Sequence, residues 1–124
     1  MTNWTKGVVV ANTHWTDNLF SLQIDARIED FTAGQYTSLA LDIDGARSIP
    51  QPYSILSGPQ RQPLEFFFYT NLEGELSARL GKLQSGDFIW VQTRPEGNFT
   101  LDQVADASQL WLLATSTGVA PFFS

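Results

Sequence analysis

The chain has 124 residues, 43% of them hydrophobic and 16% charged, which fits one folded domain and excludes a disordered tail. Seven Lys and Arg stand against 13 Asp and Glu, a net charge of −6, which argues against a nucleic-acid binder, because neutralising phosphates needs clustered cations. The absence of cysteine excludes disulfides, thiolate metal sites and a Cys nucleophile, and the single histidine argues against a His-based metal site or a Ser-His-Asp triad. The longest apolar run, Leu110 to Ala114, is far short of the roughly 20 residues that span a bilayer. No basic stretch followed by an apolar one opens the sequence, so the expectation is a cytoplasmic protein with no membrane segment.

In chain order, the first two-thirds reads as short strands. Lys6 to Val10 is rich in β-branched residues, and Leu19 to Ile24 places Phe20, Leu22 and Ile24 on one face. Tyr36 to Ile43 alternates through Leu39, Leu41 and Ile43 and ends at Asp44-Gly45, a hairpin signal. Tyr53 to Leu56, Leu64 to Tyr69 and Phe88 to Gln92 supply three more strands. Gly and Pro between such strands predict an all-β antiparallel barrel or sandwich. One helix interrupts them, with Leu76, Leu80 and Leu83 at i, i+4 and i+7, and Gly86-Asp87 turns the chain into the next strand. The tail differs: Leu110 to Ala114 is a continuous apolar run, as for a strand buried on both faces, and the small residues of Thr115 to Pro121 follow it. A buried strand feeding such a turn is how a doubly wound α/β domain begins. The expected division is therefore a β domain over residues 1–102 and, over 103–124, the first strand of a truncated α/β domain.

Three segments carry chemistry. Gln51-Pro52-Tyr53-Ser54 presents a ring beside a hydroxyl, which suits a flat heteroaromatic ligand, although a Tyr-Ser pair in a strand is more often ordinary packing. Gly74-Glu75-Leu76-Ser77 opens the predicted helix, where free N–H groups favour an anion; a plain N-cap at Ser77 is the commoner role, and the Glu75 charge opposes phosphate. Thr115 to Phe122 is a small-residue turn that lets a ligand approach the backbone, and it is neither a P-loop nor a G-x-G-x-x-G fingerprint. His14 has no evident ligand partners and reads as structural. The Phe66 to Tyr69 run reads as barrel strand, one face of which could also meet a ligand.

The order of the segments is specific. Tyr53-Ser54, then Gly74-x-x-Ser77, then Thr115-x-Thr117-Gly118-x-Ala120-Pro121-Phe122 resembles the ferredoxin–NADP⁺ reductase family, in particular its bacterial branch, which also serves flavodoxin. Residues 15–22, 31–36 and 110–115 support the match. The resemblance implies a six-stranded antiparallel Greek-key barrel with one capping helix that binds FAD, followed by an NADP(H)-binding α/β domain. It implies hydride exchange with NADP(H) and single-electron exchange with ferredoxin or flavodoxin, in a monomer. It would place Tyr53 and Ser54 at the reactive ring as the catalytic pair. Phe67, Phe68 and Tyr69 would line the flavin, Glu75, Leu76 and Ser77 would meet its pyrophosphate, and Thr117 would stand at the nicotinamide entrance. Such a site needs no acid or base of its own, because the cofactor carries the redox chemistry.

The family's motif is Arg-x-Tyr-Ser, and Gln51 stands here where the Arg belongs, next to Pro52. Gln donates hydrogen bonds without charge. A charge-assisted hydrogen bond is worth about 1.5–3 kcal/mol against about 1 kcal/mol for a neutral one, so the expectation is FAD held roughly tenfold or more weakly, or FMN held instead, unless Arg47 substitutes. The 124 residues alone are expected not to turn over NADPH. Two alternatives stay open: a non-redox β-barrel binding module, and a related NAD(P)H flavin reductase that reduces free flavin.

Overall fold

Period-2 burial along short apolar segments builds the molecule around one closed sheet. The computed structural model describes residues 3–70 and 75–124. In order, they form β1 (Trp4–His14), β2 (Leu19–Asp25), β3 (Tyr36–Ala40), β4 (Asp42–Ile43), β5 (Ala46–Arg47), β6 (Gln51–Ser54), β7 (Leu64–Tyr69), α1 (Glu75–Leu80), β8 (Phe88–Gln92) and α2 (Ala120–Phe123). Six strands make one antiparallel sheet in the order β6-β3-β8-β1-β2-β7, a Greek-key arrangement in which sequence neighbours are not always spatial ones. The short β4 and β5 form a separate hairpin. The predicted six-stranded barrel with a capping helix is the fold found.

The long β1 carries the curvature. Its first half pairs with β8, from Trp4 opposite Gln92 to Val8 opposite Phe88, and its second half pairs with β2. The register slips between Val9 and Ala11, and a slip of this kind bends and twists a strand. Val9 also donates its N–H to Asp87 O at 2.8 Å and accepts from Gly86 N at 2.9 Å, which pins the bend. The sheet's two edges, β6 and β7, then meet: Leu56 N–H donates to Glu65 O at 2.8 Å, and Glu65 N–H donates to Ser57 Oγ at 3.1 Å. Edge groups that would otherwise template aggregation are thereby used.

Inward-facing residues fill the barrel: Phe20, Leu22 and Ile24 of β2, Leu39 of β3, Leu64, Phe66 and Phe68 of β7, and Ile89 and Val91 of β8. Leu76 and Leu80 of α1 close one end, with Leu83 packed beside them. Two buried hydroxyl residues are both hydrogen-bonded, as burial requires. Trp15 Nε1 donates to Ser21 Oγ at 3.1 Å, and Thr37 Oγ1 donates to Gln92 O at 2.7 Å.

β1 runs four residues past its predicted end because Asn12, Thr13 and His14 pair with Leu22, Ser21 and Phe20 of β2. The Asn12 amide donates to Leu83 O at 2.9 Å and Gly81 O at 3.2 Å, tying β1 to the carbonyls that end the helix. The predicted strand Tyr36 to Ile43 is interrupted at Leu41, whose N–H and C=O are taken by Ser48 Oγ (2.9 Å) and Ser48 N–H (2.6 Å) instead of a neighbouring strand.

The tail corrects one expectation. Residues 110–114 form no strand, and Leu110, Trp111, Leu112 and Leu113 are exposed, Leu113 at 82%. A parallel strand needs a partner delivered by a crossover, and none of the described residues provides one. Beyond it the chain returns to the barrel. The turn Ser116–Val119 leads into α2, which has a proline in its first turn; Ala120 is buried, and Ser124 Oγ donates to Ser57 O at 2.9 Å. Among the described residues no helix is long and apolar enough to cross a membrane.

Two glycines in turns separate local from long-range strain. Gly45 follows Asp44 in the left-handed region (φ 81° and 51°), the signature of a two-residue hairpin, and a Cβ there would meet nothing within 4 Å. Gly34 has φ 100°, and a Cβ there would overlap the Phe99 carbonyl oxygen. Gly45→Ala should therefore cost about 1–2 kcal/mol of unfolding free energy from backbone conformation alone. Gly34→Ala should cost about 3 kcal/mol or more, because the Phe99 segment must also move. Urea denaturation of the two variants beside the parent protein checks this, and equal losses would contradict it.

Candidate functional site

The seam between β6 and β7 gathers most of the residues singled out in the sequence. On β6, Gln51 and Pro52 are exposed, while Tyr53 and Ser54 are half-buried. Tyr53 lies opposite Thr37 and Ser54 opposite Tyr36, so β3 sets their height along the barrel. On β7 the alternation is strict. Leu64, Phe66 and Phe68 are buried, whereas Glu65 and Phe67 are half-buried and Tyr69 is exposed. The turn Ser116–Val119 lies against β7, with Thr117 and Val119 partly covered. The structure thus brings β6, β7 and the Thr117 turn together, with the Tyr53 ring packed on the inward Phe68 and with Phe67 and Tyr69 on the opposite, outward face of β7.

Burial alters two of the expected assignments. The Phe68 side chain does not line an outer path, because strand parity turns it inward and leaves it 1% exposed. It meets the Tyr53 ring with centroids 4.5 Å apart and planes at 66°. The Leu76 side chain belongs to the core, so only its backbone N–H could serve a ligand. Gly74 lies outside the described residues, as does the side chain of Glu75; Ser77 is half-buried within the first turn of α1.

Arg47 does not stand in for the missing motif guanidinium. Its guanidinium lies over the rings of Trp90 (4.5 Å) and Trp4 (5.2 Å) on the barrel's outer wall. Gln51 is therefore the residue beside Tyr53 at the position where the motif has its cation. His14 is exposed at the end of β1. Its ring stacks on Phe20 at 5.4 Å, and Nε2 is 3.1 Å from Gly81 O.

A cleft of about 420 Å³ on the Trp90 wall had no counterpart in the sequence reading. Lys6, Arg79 and Lys82 line it together with Asp42, Asp87 and Trp90. Lys6 Nζ sits 4.6 Å from the Phe88 centroid, and Trp90 Nε1 donates to Asp42 Oδ1 at 2.9 Å. With Arg47, four of the chain's seven cations gather here. They are scattered along the sequence, so only the fold assembles them. Asp42 and Asp87 interleave with them, so the cleft is no uniform anion trap. Among the described residues no group of His, Asp and Glu could hold a metal ion.

Burial pushes the Tyr53 hydroxyl above the ordinary tyrosine range, so it stays neutral and protonated at physiological pH. The antiparallel barrel offers a half-buried tyrosine and serine at its closing seam, with aromatic side chains on the adjoining strand, residue types that could meet a flat aromatic ligand.

Comparison with known proteins gives the family. The chain is 44% identical over all its 124 residues to a flavodoxin/ferredoxin–NADP reductase of Shigella flexneri. It is 43% identical, again over its whole length, to that of Escherichia coli. A crystal structure of a ferredoxin NADP⁺ reductase from Neisseria gonorrhoeae, with bound FAD and NADP, superposes with a TM-score of 0.91 at 28% identity and covers the whole chain. No protein-family model matches. The chain belongs to the ferredoxin/flavodoxin–NADP reductase family, and it spans about half the length of the curated relatives it matches and of the Neisseria structure.

The raised Tyr53 pKa fixes a sign for stability against pH. Tyrosines of the unfolded chain ionise near pH 10 while Tyr53 in the folded protein does not, so the unfolded state binds fewer protons there. Tyr53 therefore contributes full stability below about pH 10, and that contribution is lost as pH rises through its folded-state pKa. Tyr53→Phe should lose less stability than the parent between about pH 9 and about pH 11 in urea denaturation. Parallel losses in the two proteins would contradict the assignment.

Proposed function

We propose that this chain is the FAD-binding barrel of a ferredoxin/flavodoxin–NADP⁺ reductase. In that role it serves electron exchange between NADPH and ferredoxin or flavodoxin when joined to the NADP(H)-binding half that the curated relatives' length leaves room for. The observation that carries the reading is the seam. Tyr53 offers a half-buried ring backed by the edge contact with Phe68, and Ser54 stands next to it. The Neisseria relative of 0.91 TM-score holds FAD and NADP on a chain this one covers by half. A boundary near residue 102 would separate the barrel from the start of the second domain. We further infer a monomer in the cytoplasm.

The seam's residues fit FAD. Tyr53 is an uncharged aromatic plate, and its neutral hydroxyl puts no charge against a flavin. Ser54 would donate or accept one hydrogen bond at the ring's edge. Phe67 and Tyr69 offer apolar surface on the outward face of β7. Ser77 and the backbone N–H groups of Glu75 and Leu76 would meet the pyrophosphate, and Thr117 would stand toward the nicotinamide. FAD, once bound, supplies the exchange between a two-electron hydride donor and a one-electron acceptor. The protein's residues hold the ring, exclude water from one face and orient its edge.

Gln51 makes the binding testable on this chain's own terms. The parent protein should acquire the flavin absorption band near 450 nm when FAD is added and should lose it progressively on dialysis. Gln51→Arg should tighten FAD about tenfold, read by titration of flavin fluorescence. Tight FAD retention by the parent, unchanged in Gln51→Arg, would refute the weak-clamp argument. No FAD uptake by either protein, also when joined to a relative's second half, would refute the functional reading and favour a non-redox binding module.

A further inference from the structure

Phe68 lies where the barrel core touches the proposed flavin site. It is 1% exposed, and its ring is enclosed by other rings. Phe20 stacks on it at 5.4 Å with planes 23° apart, and Phe66 lies at 6.4 Å, tilted by 38°. Phe20 is itself stacked on His14, 5.4 Å away, whose Nε2 is within hydrogen-bonding distance of Gly81 O. The line of rings therefore runs from the end of α1 through the barrel interior and terminates on Tyr53, which meets Phe68 at 66°. An edge-to-face pair is orientation-dependent, because a positive ring edge seeks a negative face, whereas an aliphatic neighbour sets no ring plane. A core ring that is itself clamped therefore fixes the plane of a half-buried one.

We propose that Phe68 is a positioning residue: it holds the plane of the Tyr53 ring and, through it, sets the orientation and affinity of the flavin. This rests on the functional reading above and deepens it. Phe68 reaches no ligand itself; Tyr53 is the group that would. Phe66 supplies the internal comparison. It lies two residues away on the same strand and face and is fully buried, and Tyr53 has its ring contact with Phe68.

The experiment compares Phe68→Leu with Phe66→Leu in the 124-residue chain. Both substitutions remove a buried ring and should lower thermal stability. In Phe68→Leu the Tyr53 ring, observed by NMR of ring-labelled tyrosine and assigned with Tyr53→Phe, should flip faster without any ligand, while Tyr36 and Tyr69 stay unchanged. FAD affinity should fall about three- to tenfold, and the visible circular dichroism of bound flavin should change. Phe66→Leu should leave Tyr53 flipping, FAD affinity and dichroism close to the parent. Equal effects of the two variants, or unchanged dichroism and affinity in Phe68→Leu, would overturn the proposal. If the parent takes up no FAD, the functional reading fails separately, and the ring-flip comparison alone then decides whether Phe68 positions Tyr53. Should neither variant fold, Phe68→Tyr and Phe68→Met are compared by the same readouts, with the tyrosine close to the parent and the methionine displaced.

Discussion

The structure depends on a seam. A twisted antiparallel sheet has two edges, and here β6 and β7 meet through the Leu56 N–H to Glu65 O bond, with Ser57 Oγ accepting from Glu65 N–H beside it. Without that closure the interior would be open along one side, and Phe66 and Phe68 would lose their cover. The same closure brings Tyr53 onto Phe68 of β7, and it gives α2 an anchor, since Ser57 also accepts from Ser124. The proposed flavin site would therefore draw on the same short stretch of chain as the fold's stability.

The division of labour along β7 follows from period 2. Three consecutive aromatics and a tyrosine look alike in sequence, yet alternate ones face the core and the outside. The inward pair fills the barrel, while the outward pair offers surface at the seam. In the proposed site the Tyr53 plate would be backed by the core itself, so its rigidity would come from packing density.

Much of the fold was legible in the sequence. Leu64 to Tyr69 and Phe88 to Gln92 were readable as strands to the residue, and Asp44-Gly45 marked its hairpin. What alternation could not show was contact at a distance. The polar end of β1 is held by the Asn12 amide reaching the helix end, and Ser48 ends β3 by capturing Leu41. The apolar run at 110–114 misled for a physical reason, since a strand is a property of a pair, and its partner is absent from the described residues. At the proposed site, residue chemistry singled out the Tyr-Ser pair, but the inward turn of Phe68 and the placement of Arg47 over Trp4 and Trp90 required register and three-dimensional neighbours.

FAD could be sought at the seam at Tyr53 or in the cation-lined cleft at Trp90. A crystal structure of the chain grown with FAD separates them most directly. The isoalloxazine ring should lie against Tyr53, with Phe68 still in contact with the tyrosine and Gln51 near the phosphates. Flavin seated instead in the cleft between Lys6, Lys82 and Trp90, with the Tyr53 ring bare, would contradict it.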